Sequence, residues 1–141
     1  MTLFEKMLFL GRTDLFSALP AEDLELIALA TEVIEVEADQ WLFHQGDVGD
    51  RMYLVVSGSV TLWVQRPNGL QPVTTRGAGD FFGEMALLDD ARRSASAQCA
   101  EHCQFLVLDK ESFVQLVMDY PAIALAVFKF LCALIRGGDK D

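Results

Sequence analysis

Along the middle of the chain, apolar and polar side chains alternate with the period of half-buried strands. Val60, Leu62 and Val64 take every second place against Thr61, Trp63 and Gln65, so one face of that segment meets a core and the other meets water. Similar short runs rich in β-branched and aromatic residues predict strands at Val33–Glu37, Trp41–His44, Met52–Val56, Ser59–Gln65, Leu70–Thr75 and Gln104–Asp109. Seven of the ten glycines fall in the same central stretch, at Gly46, Gly49, Gly58, Gly69, Gly77, Gly79 and Gly83. Spaced in this way they mark tight turns between antiparallel strands, with Pro67-Asn68-Gly69 forming a hairpin.

The flanks follow the helical period instead. Pro20 can occupy a first turn, Glu22, Asp23 and Glu25 suit its positive end, and Leu24, Ile27 and Ala28 share one face, which predicts a helix at about 20–31. Asp109 can cap a helix over Lys110–Met118, Tyr120-Pro121 interrupts it, and a last helix over Ala122–Arg136 is expected to stop at Gly137-Gly138, with the tail to Asp141 fraying. The expected fold is mainly β: a small antiparallel β-barrel of jelly-roll type with an N-terminal helix and two C-terminal helices. With 141 residues, no repeat and no linker-like tract, the whole of 1–141 reads as one domain with a core at about 10–136.

Composition narrows the function classes. The chain is 52% hydrophobic and 23% charged, which excludes disorder, and it carries 11 Lys+Arg against 21 Asp+Glu for a net charge of −10. That charge argues against nucleic acid or anionic lipid, which need a broad cationic surface. Residues 1–50 hold 2 basic and 11 acidic side chains, whereas residues 51–100 hold 5 and 4, so a single small anion remains acceptable to the central segment. Met1–Leu10 carries Glu5 and Lys6 and lacks a small-residue cleavage site, so no signal peptide is expected. The apolar stretch from Tyr120 to Ile135 is interrupted by Lys129, so no membrane span is expected either. Cys99, Cys103 and Cys132 are an odd count, and His44 and His102 stand apart. Neither set makes a disulfide framework or a metal site, which suits a reducing cytoplasm and argues against a metal-dependent enzyme.

The chemistry concentrates between Gly79 and Ser96. A glycine before a short helical turn allows close approach to the backbone, and the free amides of Glu84, Met85 and Ala86 would face an anion. An arginine nine residues further on, Arg93, could return to supply a charge-assisted fork to phosphate oxygens. Its neighbour Arg92 would point the opposite way along an extended segment. A carboxylate beside an anion makes sense if Glu84 accepts from a sugar hydroxyl, and phosphate plus ribose means a nucleotide. The plainer alternative makes Arg93 a surface residue that neutralises Asp89 and Asp90. Phe81 and Phe82 read as core plugs rather than as platforms for a base.

Phe82-Gly83-Glu84-Met85-Ala86-Leu87-Leu88 followed by Arg93-Ser94-Ala95-Ser96 resembles the phosphate-binding cassette of the cyclic nucleotide-binding domains found in protein kinase A regulatory subunits, catabolite activator protein and cyclic-nucleotide-gated channels. Leu15–Pro20, Phe43-His44-Gln45-Gly46-Asp47 and Met52–Val60 are similar to that family's entry helix, the turn before its third strand and its central hairpin. The resemblance implies a non-catalytic regulatory sensor for cAMP or cGMP, with no cofactor. Gly83 and the amides of Met85 and Ala86 would hold the phosphate region, Glu84 the ribose 2′-hydroxyl and Arg93 the phosphate. Ser94 occupies a position associated with base preference. No DNA-binding or catalytic segment is expected beside it, so the module would signal through its last helix to an effector protein. That helix, 122–136, is apolar nearly all round, and its second face is covered either by the domain itself or by another copy in a homodimer. The rival reading is the same fold with a lost or different ligand, acting as a protein-interaction module.

Overall fold

Thr2 opens the chain with a reciprocal cap. Its Oγ1 accepts from the Glu5 amide at 3.1 Å while its own amide donates to Glu5 Oε1 at 3.0 Å, and this capping box nucleates a helix, α1, over Leu3–Arg12. A computed structural model describes residues 1–140, with side chains to 137. The remaining elements are α2 (Ala21–Ala30), β1 (Glu32–Val36), β2 (Trp41–Phe43), β3 (Arg51–Ser57), β4 (Val60–Arg66), β5 (Gly69–Arg76), β6 (Phe81–Phe82), α3 (Met85–Leu88), β7 (Ser96–Cys99), β8 (Cys103–Asp109), α4 (Lys110–Asp119) and α5 (Pro121–Lys140). The chain divides into two units, one made of residues 31–111 and the other of 1–30 with 112 onward.

The β unit holds two four-stranded antiparallel sheets, ordered β1-β8-β3-β6 and β2-β7-β4-β5. The expected jelly-roll architecture is present, but as an open sandwich, because each sheet ends in its own edge strands and does not close on the other. Tyr53, Val55, Phe82, Phe105 and Val107 of the first sheet and Val60, Ala97 and Cys99 of the second form one buried cluster. Its rings interlock: Tyr53 stacks on Phe82 with centroids 5.3 Å apart and planes 9° from parallel, and Phe105 meets both edge-on. Phe82 is therefore a core plug as the sequence suggested, while Phe81 is half-buried.

All six predicted strands are present. Two more were not foreseen: β6 is only two residues long, and β7 reads Ser-Ala-Gln-Cys, without the β-branched or aromatic residues that signal a strand. The hairpin falls where expected, with Pro67 and Asn68 joining β4 to β5.

In the helical unit, the single N-terminal helix expected at 20–31 is joined by α1, which the capping box announces. Leu10, Leu15, Phe16, Leu19, Ile27, Phe113, Ile123 and Val127 are buried there. Tyr120-Pro121 does break the C-terminal helices, and α4 and α5 meet at 112°. The expected stop at Gly137-Gly138 is corrected, since α5 runs through both glycines to Lys140. Each glycine costs only about 1 kcal/mol in a helix interior, which the rest of a helix this long can carry. Asp141 lies outside the described residues. Among the described residues no single helix is long and apolar enough to cross a membrane.

Candidate functional site

After β6 pairs with β3, Tyr53 opposite Phe82, the chain turns at Gly83, where φ is +80°, a conformation that favours glycine. Glu84 caps α3 with helical backbone angles and makes no side-chain cap bond, so its carboxylate is not used up on the helix. Ala86 and Leu87 are buried and anchor the turn. The Ala86 amide donates to the Gly83 carbonyl at 3.1 Å, which corrects the expectation of three free amides. Those of Glu84 and Met85 have no acceptor among the described residues.

Arg93 reaches this turn from the far side of the loop. Its amide donates to the Asp47 carbonyl and its carbonyl accepts from the Gly46 amide, both at 2.8 Å. These two bonds fix the backbone so that neighbouring side chains diverge. Arg92 is exposed and donates to the Gly46 carbonyl at 3.0 Å. Arg93 is only 8% exposed. Its guanidinium carbon sits 4.1 Å from the centre of the Phe43 ring, Nη2 donates to the Arg51 carbonyl at 2.8 Å and Nη1 to the Gly83 carbonyl at 3.4 Å.

The electrostatics of this residue are unusual. Nε of Arg93 is buried without a hydrogen-bond partner, and among the described residues no carboxylate forms an ion pair with the guanidinium. The idea that Arg93 neutralises Asp89 and Asp90 fails. Asp90 pairs with Lys110, and Asp89 accepts from the Ala91 amide at 2.7 Å through its side chain and from Lys110 Nζ through its carbonyl. Burial pushes the guanidinium's pKa down from its ordinary value, with Tyr53 and Asp50 opposing the shift, and a guanidinium nonetheless stays charged. The site thus keeps a desolvated cation whose partners are neutral carbonyls and a ring face.

Gly83, Glu84, Met85, Ala86, Arg93 and Ser94 all line one cavity of about 370 Å³, together with Phe43, Leu62, Phe82, Arg76 and others. Glu84 is half-buried, and Met85 and Ser94 are exposed at the rim. A cationic pole, a carboxylate, two uncommitted amides and an apolar wall can take an anion joined to a hydroxylated ring and a flat apolar group. Among the described residues no three His, Cys, Asp or Glu side chains converge to hold a metal. His44 stacks on Trp41, and His102 bonds Glu35 and Glu37.

Residues 33–120 match the family described as the cyclic nucleotide-binding domain. The chain belongs to that family. It is 33% identical over 128 residues to the cyclic AMP receptor protein of Thermus thermophilus, covering 90% of this chain and 59% of the relative. It is also 33% identical over 109 residues to a cAMP-dependent protein kinase regulatory subunit of Emericella nidulans, covering 77% and 26%. The chain therefore spans about three fifths of one relative and a quarter of the other. Among solved structures, the regulatory domain of Toxoplasma gondii PKA crystallised with cAMP superimposes with a TM-score of 0.77 at 31% identity, over 83% of this chain and 45% of that one. The N-terminal domain of a transcriptional regulator from Streptomyces coelicolor gives 0.85 at 26% identity, over 94% and 93%.

For this cyclic nucleotide-binding domain, the sequence motif left three contributors unseen. Phe43 lies under the Arg93 guanidinium, Gly49 makes room for it, and Arg76 lines the cavity from β5. Gly49 has a detectable reason: a Cβ there would stand 2.6 Å from the Ala86 Cβ and 2.9 Å from Arg93 Nε. Nothing in the spacing of residues 43–49 announces that contact, because it joins segments more than thirty residues apart.

Proposed function

We propose that this chain is a regulatory sensor that binds a cyclic nucleotide, cAMP or cGMP, in the cavity beside Arg93 and catalyses nothing. The observation that carries the reading is the buried guanidinium with no anionic partner. Keeping a charge out of water with no ion pair to meet it is unfavourable, and a cyclic phosphate would complete the arrangement with charge-assisted hydrogen bonds. Glu84, free of capping duty, accepts from the ribose 2′-hydroxyl. Gly83, Met85 and Ala86 line the phosphate end, with the Met85 amide as donor, and Ser94 stands at the rim near the base. Relatives named for cAMP support the ligand class.

Signalling through α5 is part of the same reading. Leu125, Phe128, Leu134 and Ile135 on that helix are each more than half exposed, an apolar surface suited to a second copy in a homodimer or to an effector protein. Ligand can bias such a helix only by the difference in its affinity for two states. Free thiols at Cys99, Cys103 and Cys132 suit a reducing cytoplasm. Heating the protein with and without millimolar cAMP or cGMP tests the core of the reading. A raised midpoint is expected, since a ligand that binds the native state stabilises it; an unmoved midpoint with both nucleotides would leave only the protein-interaction reading.

A further inference from the structure

Two serines follow Arg93, and the fold uses only one of them. Ser96 is buried, and its Oγ accepts from the Gln45 amide at 2.8 Å, which ties β7 to the turn after β2. Ser94 is exposed, and among the described residues its hydroxyl has no hydrogen-bond partner. It sits in the loop between α3 and β7, where Asp89, Asp90, Ala91 and Arg92 are exposed as well, so an enzyme can reach it from solvent.

Ser94 also borders the cavity that Arg76, Arg92 and Arg93 line, where Glu84 supplies a carboxylate. None of the three guanidinia forms an ion pair among the described residues. A cyclic nucleotide has one negative charge, which meets Arg93 and leaves positive charge over. A phosphoryl group on Ser94 carries more than one negative charge and three acceptor oxygens, and it is tethered beside Arg93, so its local concentration there is high. We propose that Ser94 is a phosphorylation site, and that its phosphoryl group takes the place of the cyclic phosphate beside Arg93 and closes the cavity to nucleotide. The donor is ATP, held by a serine/threonine kinase that reads an arginine ahead of its target, here the exposed Arg92. Ser94 Oγ attacks the γ-phosphorus, the bond from that phosphorus to the ADP oxygen breaks, and the hydroxyl proton passes to the kinase's base. The exclusion is reciprocal, since a bound nucleotide shields Ser94 from the kinase. The exclusion rests on the cyclic nucleotide reading of the cavity; the pairing with Arg93 does not.

The test compares the unmodified whole chain with the chain phosphorylated at Ser94 by incorporation of phosphoserine during translation. Without nucleotide, the phosphorylated chain should melt about 3 °C or more above the unmodified one, because its dianion meets guanidinia that otherwise lack an anion. Calorimetry should show its affinity for cAMP and cGMP lowered at least about a hundredfold. An arginine-directed serine/threonine kinase with Mg-ATP should phosphorylate Ser94 of the folded, unmodified chain, mapped by mass spectrometry, and saturating nucleotide should slow that transfer. The kinase reaction on the folded chain decides the matter if the translated variant does not fold. An unchanged or lowered midpoint, nucleotide affinity unaltered by the phosphoryl group, no transfer to Ser94, or transfer as fast with nucleotide as without overturns the proposal. Failure of the unmodified chain to bind either nucleotide overturns the reading of the cavity instead, and a raised midpoint in the phosphorylated chain then still supports the pairing with Arg93.

Discussion

The place a Cβ would take on Gly83 lies 2.5 Å from Nη1 of Arg93, ten residues away in sequence. Turn and arginine are therefore fitted to each other: the glycine is needed both for its φ of +80° and for the space the guanidinium fills.

Gly83→Ala should act on both counts. The backbone conformation costs an alanine about 1–2 kcal/mol, and the methyl group displaces Arg93 or the turn. Loss of stability by that amount in denaturant titration is expected, with cyclic nucleotide affinity down more than tenfold. Gly49→Ala carries no positive-φ penalty but meets the Ala86 Cβ at 2.6 Å and Arg93 Nε at 2.9 Å. It should weaken binding through crowding alone, and unchanged affinity in both variants would show that the placement of Arg93 does not matter.

His102 links the two ends of a pH-sensitive clamp. Its Nε2 lies 3.1 Å from Glu35 Oε1 and its Nδ1 3.3 Å from Glu37 Oε1, so both ring nitrogens donate when the imidazole is charged. The hydrogen bond to Glu35, then that to Glu37, raises its pKa above the ordinary 6.5. A group whose pKa is raised on folding stabilises the fold fully below the unfolded value and loses that contribution as pH climbs through the folded one. The difference in melting temperature between wild type and His102→Gln should thus be largest below the ordinary histidine pKa and shrink as pH rises above it. A difference that grows with pH would contradict the clamp.

The three thiols should react in a fixed order. Burial, with Cys103 as neighbour, pushes the Cys99 pKa up to about 12, and Cys103 is fully buried and donates to the Ser59 and Glu101 carbonyls. Cys132 on α5 is only half-buried. Iodoacetamide at pH 8 should modify Cys132 alone in the native protein and all three cysteines in denaturant, because the thiolate is the nucleophile. Native labelling of Cys99 by mass spectrometry would place it outside the core.

The elements legible in the sequence are those with a strong local period or a proline break. β3, β4 and β8 declared themselves by apolar runs, and α4 and α5 by Tyr120-Pro121. β6 and β7 did not, because two residues carry no period and Ser-Ala-Gln-Cys pairs with β2 and β4 through backbone bonds that composition does not encode. α1 is announced in the sequence only by the local cap Thr2-x-x-Glu5. At the site, Arg93 and Glu84 were found through their spacing within one segment. Phe43, Gly49 and Arg76 come from other strands and turns, and only the folded chain brings them to the cavity.

In the proposed function, a cyclic phosphate meets the buried charge of Arg93. Calorimetric titration with cAMP and cGMP of the wild type, Arg93→Ala and Arg92→Ala tests it most directly. Saturable binding of one nucleotide per chain is expected for the wild type, near-normal binding for Arg92→Ala, and at least a hundredfold loss for Arg93→Ala, consistent with removal of a charge-assisted pair worth about 3 kcal/mol or more. Binding by Arg93→Ala as tight as the wild type, or no heat from the wild type with either nucleotide, would contradict it.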